Sequence, residues 1–380
     1  MSKVAIIGGG ISGLLAAYEL KKKNFEVHLF EKRGYSGGRF EHAVKGMTED
    51  LHPEFLSLIR ELRIEDSLIP MGDIGLLTED GVINRSVNPE KLTQKDREKY
   101  AEMKEFAFSF DFDPFNSDDD VSNLRNISFA DYLGDVSDYF IKEIIDPLLD
   151  FTFMNPIDTT KVSAEYGLFK LRLVAEFGKD GSLTFSKDEG IKVVTNVLES
   201  KARREGVEFH FSTEVTNVEN KSVTYEKVGD ENAEDFDVVI FAIPLSEVTK
   251  ISSLEVDKGI FYESTKYYSL RGDKKTNKEI VVSRDKTANS RIYFDVYHNE
   301  QQVFPVDPSK EVDFNRFYYD YELLEETNEK NPFPVLKPGA EAPDLKQSEG
   351  IYLCGDFYYY PYIETAVRTA KKVVDMISSS

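Results

Sequence analysis

Three glycines near the N-terminus, Gly8, Gly10 and Gly13, restrict the possible fold more than any other feature of the sequence. The apolar run KVAIIG leads into them, and ISGLLAAYELKKK follows with apolar residues at helical spacing. This pattern predicts a strand, a tight turn and a helix, in which the second glycine lets a diphosphate approach the backbone and the third allows close helix packing. The amides at the helix start, at Ile11 and Ser12, would meet the phosphates.

A second short strand, EVHLFEK, contains Glu31 near its end and completes a βαβ unit with a buried parallel sheet. A carboxylate at this position can accept hydrogen bonds from both ribose hydroxyls of an adenine dinucleotide, and it would repel a 2′-phosphate. Lys32 directly follows and is assigned to the same site. Glycine-rich turns also serve simple backbone geometry, but here strand, helix and acid are in register. The sequence therefore predicts FAD or NAD as the ligand, and not NADP.

Composition describes an ordinary folded protein and argues against several kinds of site. The chain has 380 residues, 41% of them apolar, which is enough for two or three domains. Its formal net charge of −22 disfavours contact with nucleic acid and with anionic lipid. Cys354 is the single cysteine, and the five histidines show no metal-ligand spacing, so we predict neither a disulfide nor a metal site. No apolar run approaches the roughly 20 residues of a membrane span, and the first strand leaves no room for a signal peptide, so we expect a cytoplasmic protein.

Further motifs favour FAD over NAD. Gly37, Gly38 and Arg39 follow Glu31 after a short linker. The opening run GGGISGLLAAYELKKKNFEVHLFEKRGYSGGR, the central DVVIFAIP and the closing GIYLCGDFYYYPYIETAV resemble the flavin-containing amine oxidase superfamily, which includes monoamine and polyamine oxidases, protoporphyrinogen oxidase and phytoene-desaturase-like enzymes. The resemblance brackets the whole chain. It implies a flavin-dependent oxidoreductase with non-covalently bound FAD.

The resemblance also implies roles for individual residues. Glu31 would hold the adenosine ribose, Arg39 would lie along the diphosphate and flavin, and Val215 would meet the adenine through its backbone. Asp356 would hydrogen-bond the ribityl chain or the diphosphate. The cofactor-binding residues predicted beyond the first glycine motif are Glu31, Lys32, Gly37, Gly38, Arg39, Val215, Gly355, Asp356, Glu364, Thr365 and Ala366.

The closing helix is expected to begin near Glu364. By the same resemblance, the amides of Ala366 and Val367 would point at the pyrimidine end of the flavin. This placement is physically reasonable because reduced flavin carries negative charge there, and a helix N-terminus stabilises it by roughly 1 kcal/mol.

Two side chains are candidate catalytic residues. Tyr362 matches one aromatic wall of the cage that guides an amine to the flavin in amine oxidases, although no partner for the second wall is found. Lys266 matches a strand lysine that holds a water near flavin N5 in several members of the superfamily. The ordinary alternatives are a core tyrosine and an exposed strand lysine.

The chain also departs from the superfamily pattern. Cys354 lies inside the last predicted strand instead of before it, so we expect no covalent tether to the flavin. After the Gly-Gly-Arg motif the segment reads MTEDLHPEF. Either Glu49, Asp50 or His52 points toward the flavin ring, or the local loop differs.

We predict an α/β architecture with two domains. The Rossmann-like FAD-binding domain comprises residues 1–51, 186–249 and 348–380. A mixed α+β substrate domain is made of the two insertions, 52–185 and 250–347. Within it, the aromatic and acidic run at 106–120 favours a surface loop or lid over a core element.

Three kinds of reaction stay open. The first is hydride transfer from a small or medium apolar organic substrate, such as an amine, to flavin N5, with reoxidation by oxygen or another acceptor. The second is a desaturase, isomerase or oxidase of isoprenoid or porphyrinogen type. The third uses FAD without net redox turnover, as UDP-galactopyranose mutase does. The sequence identifies neither the substrate nor the oligomeric state.

Overall fold

A six-stranded sheet contains the predicted βαβ unit. In this computed structural model the residues described are 1–39, 45–71, 74–78, 81–84, 89–113, 115, 121–153, 158–176, 181–186, 190–262, 264–276, 280–283, 290–295, 300–305, 307, 309–329 and 333–379. The strands of the sheet are, in spatial order, β20 (Lys346–Ser348), β21 (Ile351–Leu353), β12 (Val238–Phe241), β1 (Lys3–Ile7), β2 (Glu26–Glu31) and β8 (Glu208–Phe211). All neighbours pair in parallel except β20 and β21. The predicted α/β class is confirmed.

Both faces of this sheet are covered, which explains the continuous apolar runs of its strands. Val4 and Ile6 face a core shared with helices, whereas Ala5 and Ile7 face a core shared with a β-meander. The helices on the first face are α1 (Ile11–Lys22), α2 (Pro53–Leu62), α9 (Lys192–Glu205) and α11 (Ile363–Ser378). The meander consists of β9 (Thr213–Glu219), β10 (Ser222–Lys227) and β11 (Asp230–Asp235).

The sheet is assembled from three separated stretches of the chain. Its strands come from residues 3–31, 208–241 and 346–353. The domain boundaries drawn from the sequence stay a prediction. The helix α10 (Leu245–Ile251) follows β12 and leads into the second sheet region.

A seven-stranded sheet is formed by the predicted insertions. Its strands are, in order, β18 (Tyr318–Glu329), β14 (Thr265–Lys274), β17 (Glu300–Pro305), β16 (Ser290–Asp295), β15 (Ile280–Ser283), β5 (Ile74–Thr78) and β6 (Gly81–Asn84). Neighbours are antiparallel apart from β15 and β5. Two small sheets pair β13 (Ile260–Tyr262) with β19 (Pro334–Leu336), and β3 (Lys45–Met47) and β4 (Leu68–Pro70) with β7 (Leu183–Phe185).

A buried helix, α8 (Ala164–Glu176), lies at the centre of a helical layer. It contacts α3 (Gln94–Ser109), α4 (Ser122–Asn126), α5 (Phe129–Leu133) and α7 (Asp146–Phe153). The remaining turns of this layer are α6 (Asp138–Phe140) and a π-helical turn at Ile141–Ile145; single 3₁₀ turns occur at Glu65–Ser67, Pro89–Lys91 and Phe314–Arg316. Among the helices that the structure describes, none combines the length and apolar character needed to span a bilayer.

In the described part of the aromatic run at 106–120, which is residues 106–113 and 115, a helix end and a buried ring replace the predicted surface loop or lid. Helix α3 continues to Ser109, and Phe112 is buried against Phe169 and Tyr360. Burial of the ring outweighs the acidic neighbours, because the acids can stay at the surface while the phenylalanine packs inward. Residues 114 and 116–120 lie outside the described part.

Candidate functional site

The glycine turn after β1 leaves no room for larger residues at two of its positions. Gly8 has φ +109°, and a Cβ there would lie 2.6 Å from Ala242 O. A Cβ on Gly13 would lie 2.0 Å from Gly8 O, so α1 packs directly on the turn. A Cβ on Gly10, the N-cap of α1, would find its nearest neighbour 3.9 Å away, at Gly38 Cα. Gly8 and Gly13 are therefore needed for packing, whereas the space beside Gly10 would admit a methyl group.

The second glycine motif, Gly37 and Gly38, contacts the glycine turn that follows β1. Gly37 N donates to Gly9 O over 2.9 Å, and a Cβ on Gly38 would lie 2.9 Å from Gly10 Cα. The structure thus brings residues 37–39 to the N-terminus of α1, where Ile11 and Ser12 begin the helix. Backbone of both motifs surrounds this helix end, which fits an extended anionic ligand.

Glu31 is fixed beside the same turn. Its side chain is buried, Oε2 accepts from Gly9 N at 2.8 Å, and Oε1 accepts from Arg33 N at 2.9 Å. Each carboxylate oxygen keeps further acceptor capacity, so Glu31 can also receive hydroxyl donors. Lys32 is exposed, and Val215 is buried in β9 opposite Tyr225 of β10.

Arg39 and Asp356 connect the second glycine motif to the closing motif. Arg39 Nη2 donates to Asp356 Oδ1 over 2.6 Å, and both side chains are partly buried. The loop around Asp356 is fixed because Thr369 Oγ1 accepts from Gly355 N at 3.0 Å and lies 2.9 Å from Gly355 O. The structure therefore groups Gly10, Gly38, Arg39 and Asp356 around the start of α1.

The closing helix α11 starts at Ile363, one residue before the predicted position. Ala366 N donates to Tyr362 O at 3.2 Å, so its amide belongs to the helix, and the amides without an intrahelical acceptor are those of Ile363 to Thr365. Ser12 Oγ donates to Ala366 O over 3.0 Å. The N-termini of α1 and α11 consequently lie side by side.

Two residues assigned to the cofactor from the sequence also hold the protein together. Glu364 is fully buried, and its carboxylate accepts from Glu54 N at 3.0 Å and from Phe55 N at 2.8 Å, at the start of α2. Burial raises the pKa of Glu364. The hydroxyl of Thr365 donates to Tyr360 O. These contacts fix the segment that leads into α11.

Tyr362 has an aromatic neighbour that sequence analysis did not find. The ring of His52 lies 5.5 Å from the Tyr362 ring at 71°, and Phe169 lies 5.1 Å from it at 67°. His52 is buried, its Nδ1 accepts from Thr48 N at 3.3 Å, and burial lowers its pKa to about 4. His52 is therefore neutral near pH 7. Among the described residues, none forms a hydrogen bond with the buried Thr48 Oγ1.

Three residues after the Gly-Gly-Arg motif, Glu49, Asp50 and His52, are candidates to approach the flavin, and of these only His52 is buried. Glu49 is exposed and forms an ion pair with Arg60. Asp50 is also exposed and lies 3.8 Å from Arg172.

Lys266 lies on the face of the seven-stranded sheet that is turned away from the core containing Phe169 and Tyr360. Lys266 Nζ lies 2.8 Å from Glu326 Oε1 and 4.9 Å from the centre of the Tyr268 ring. These contacts raise the pKa of Lys266, chiefly through the hydrogen bond to Glu326. Tyr268 belongs to a small core on one face of the seven-stranded sheet, whereas Tyr267, on the opposite face, belongs to the core that includes Phe169 and Tyr360. Lys266 is directed to the Tyr268 side.

A different lysine is buried among the aromatic residues. Lys170 on α8 is 4% exposed, and its Nζ lies 3.4 Å from Pro361 O and 4.9 Å from the centre of the Tyr166 ring. Burial lowers the pKa of Lys170 to about 7, although Asp356 partly opposes this by favouring the charged form. The sequence signal was a lysine inside the apolar run GLFKLRL, a position that periodicity alone did not distinguish from a solvated helix face.

The aromatic side of the site is held by a buried ionic network. Tyr360 packs 5.1 Å from Phe169, and its hydroxyl donates to Glu165 Oε1 over 2.6 Å. Arg125 donates to both oxygens of Glu165, at 2.7 and 2.9 Å. This bidentate pair satisfies the buried carboxylate and fixes the Tyr360 ring.

Comparison with known families gives one match that covers most of the chain. The family model described as flavin containing amine oxidoreductase matches residues 11–258. A curated relative, 1-hydroxycarotenoid 3,4-desaturase from Flavobacterium sp. (strain P99-3), is 26% identical over 279 residues, which are 63% of this chain and 56% of the relative. The chain thus spans little more than half the length of that relative.

Solved structures show the same fold across the whole chain. Cyclohexylamine oxidase from Brevibacterium oxydans IH-35A has a TM-score of 0.72 at 16% identity, covering 100% of this chain and 99% of that one. A CLA-producing fatty acid isomerase from P. acnes has a TM-score of 0.70 at 14% identity, covering 99% and 98%. Because an oxidase and an isomerase share it, this fold alone does not select a reaction.

Proposed function

Because the chain belongs to the family of flavin-containing amine oxidoreductases, we propose that it uses non-covalently bound FAD to oxidise a small or medium apolar organic substrate. The observation that carries this proposal is the convergence at the start of α1. There the Gly10 backbone, the Gly38 backbone and the Arg39–Asp356 pair meet, next to the buried Glu31 carboxylate.

The choice of FAD rests on the fit between these residues and an extended dinucleotide. The N-terminus of α1 suits a diphosphate, and Glu31 suits a ribose diol. Arg39 and Asp356 suit the middle of the ligand, and Tyr362 with His52 borders its far end. Non-covalent binding is supported by Cys354, which directly follows β21 and is fully buried. Burial raises the pKa of its thiol to about 12, so the thiol is a poor nucleophile.

When bound, the flavin would supply an acceptor for the hydride of a substrate C–H bond. The protein's own contribution is to bind, orient and exclude water. Phe169, Tyr360 and Tyr362 form an apolar wall, and the Glu165–Arg125 pair keeps it rigid. Neutral His52 adds a polar edge without adding charge.

We assign proton handling to Lys170 Nζ. With a pKa near 7, this amine can hold a proton or accept one at neutral pH, which is the range in which a general base is most effective. Lys266, the candidate from the sequence, is retained as a competing assignment. Its ion pair with Glu326 would have to open before the amine could accept a proton.

An amine is the first substrate class to test, because the family is that of the flavin-containing amine oxidoreductases and Tyr362 lies beside the aromatic rings of His52 and Phe169. A polyene or other isoprenoid is the second. It is favoured by the stacked Phe106 and Phe110 next to Phe112, which extend the apolar wall, and by the similarity to a carotenoid desaturase.

The test begins with the purified protein. We expect a yellow protein that releases all of its flavin as FAD on acid denaturation. Under anaerobic conditions, amines, polyenes and porphyrinogens are then added separately, and bleaching of the flavin absorption identifies the substrate class. A colourless protein that takes up no added FAD would refute the cofactor assignment. Substrate conversion with no acceptor consumed would replace the oxidoreductase proposal with an isomerase or mutase.

A further inference from the structure

Two histidines and a glutamate that the proposed function does not use meet at the edge of the six-stranded sheet. His28 lies on β2, and Glu208 and His210 lie on the adjacent edge strand β8. In the register of these parallel strands His28 of β2 pairs with Glu208 of β8, and His210 lies two residues after Glu208 on β8. Residues two apart on a strand share a face, so the three side chains point the same way.

The separations of the donor atoms suit a single ion. His28 Nδ1 lies 3.1 Å from His210 Nε2 and 3.7 Å from Glu208 Oε2, and His210 Nε2 lies 3.5 Å from Glu208 Oε1. Ligands about 2.1 Å from a tetrahedral zinc ion are separated from one another by about 3.4 Å. Among the described residues, these three form a group whose ligand atoms all lie within 4.8 Å of one another.

A fourth residue orients the first histidine. Glu26 Oε1 lies 3.2 Å from His28 Nε2, the ring nitrogen opposite the cluster. If Nε2 carries the proton and donates to Glu26, the lone pair of Nδ1 faces His210. A carboxylate that accepts from the outer nitrogen of a histidine is the usual outer partner of a metal-bound imidazole.

Aromatic neighbours hold both imidazole rings in fixed positions. The His210 ring stacks on Phe30 at 4.6 Å, and Phe236 packs edge-on to His28 at 5.5 Å. Glu208 is exposed, so an ion could enter from solvent and keep a water in a fourth position.

We propose that His28 Nδ1, His210 Nε2 and the Glu208 carboxylate bind one divalent transition-metal ion, with Zn²⁺ as the expected occupant. Two imidazoles and one carboxylate are a ligand set that zinc accepts. The ion would join the edge strand β8 to β2 at His28, which lies three residues before Glu31. The sequence-based expectation of no metal site considered spacing along the chain, whereas these ligands are adjacent across two strands.

The experiment uses the full chain after treatment with a chelator and dialysis. A calorimetric titration with Zn²⁺ should give a stoichiometry of one ion per chain. Addition of Co²⁺ should give the visible absorption spectrum of a tetrahedral site. A hundredfold excess of Zn²⁺ over its Kd should raise Tm by about 3 °C or more. Binding of no ion would overturn the proposal and leave an ordinary imidazole–imidazole hydrogen bond between His28 and His210.

Variants locate the ion. Glu26→Gln should weaken Zn²⁺ binding by roughly 10- to 100-fold, and Glu208→Gln and His210→Phe should weaken it further. Glu219→Gln, an exposed carboxylate on β9, is the matched control and should leave binding unchanged. Undiminished affinity in Glu208→Gln and His210→Phe would place the ion elsewhere and refute the site. Should His210→Phe fail to fold, judged by circular dichroism, the exposed Glu208→Gln decides.

Discussion

Arg39 donates to Asp356 over 2.6 Å, although the two residues are 317 positions apart in the chain. This contact joins the segment after β2 to the loop after β21. It lies beside the paired starts of α1 and α11, which Ser12 connects to Ala366. The chain's first and last structural motifs therefore meet at the proposed cofactor site.

Removing either partner of this pair should weaken FAD binding. Arg39→Ala and Asp356→Asn are each expected to raise the Kd for FAD by about tenfold or more, because each removes a charged hydrogen-bonding group worth roughly 1.5–3 kcal/mol. The double variant should lose less binding free energy for FAD than the two single variants lose together, since Arg39 and Asp356 act as a pair. Fluorescence titration of the apoprotein measures all three. Arg60→Ala, in an exposed ion pair, is the control, and an unchanged Kd in Arg39→Ala would contradict the assignment.

Substitutions at two glycines should separate folding from binding. Gly13→Ala places a methyl group 2.0 Å from Gly8 O and should destabilise the fold by about 2 kcal/mol or more. Gly10→Ala has its nearest neighbour at 3.9 Å, so the apoprotein should keep its stability while FAD affinity falls. Urea unfolding of the apoprotein and FAD titration measure the two effects. Equal loss of stability in both variants would show that Gly10 serves packing only.

Lys170 should give the folding stability a distinctive pH dependence. In the folded protein its pKa is about 7, against an ordinary value of 10.5, so the unfolded chain binds more protons between these values. The stability of the wild type relative to Lys170→Met should therefore rise with pH above 7, by as much as about 1.4 kcal/mol per pH unit. Urea unfolding from pH 7 to 9 measures this slope. Lys266→Met is the matched control; Lys266 has a raised pKa and should contribute no slope in that window.

The same two variants distinguish the candidate catalytic lysines. If Lys170 Nζ accepts a proton, the rate of anaerobic flavin reduction should rise as the pH passes about 7, and Lys170→Met should lose that rise. Lys266→Met should keep it. The reverse result would restore the role predicted for Lys266 from the sequence.

His52 should make the protein sensitive to mild acid. The pKa of His52 in the folded protein is about 4, below the ordinary value of 6.5. Its contribution to the free energy of unfolding is therefore present above pH 6.5 and is lost as the pH falls toward 4. Across this range the wild type should lose up to about 3 kcal/mol relative to His52→Gln. Urea unfolding at pH 7 and pH 4.5 tests this. Parallel losses in the two proteins would show that His52 does not remain neutral in the fold.

Features encoded by local patterns were predictable from the sequence. The strand, glycine turn and helix of the first 31 residues occur as predicted, because hydrophobic periodicity and turn residues act over short distances. The predicted superfamily, whose model is described as flavin containing amine oxidoreductase, is confirmed by the family match. The predicted α/β class is confirmed by the topology of the central sheet and by the solved structures of the same fold.

Contacts between distant segments were not predictable in this way. Nothing near Tyr362 in the sequence indicates that His52 packs against it, and Glu364 gives no sign that it caps α2. Lys170 occupies a helix that is buried on nearly every side, so the usual rule that a lysine marks the solvated face fails there. The clustering of His28 with His210 likewise depends on strand pairing.

The assembly of the central sheet from three stretches affects how the protein is synthesised. While a ribosome is still translating the middle of the chain, β1 and α1 have already been made, but α11, which shares a core with Ile6 and Leu14, has not. The nascent N-terminal unit must therefore expose apolar surface until residues beyond 370 emerge. We expect its maturation to be late, slow and assisted by chaperones, and C-terminal truncations to aggregate instead of forming a smaller flavoprotein.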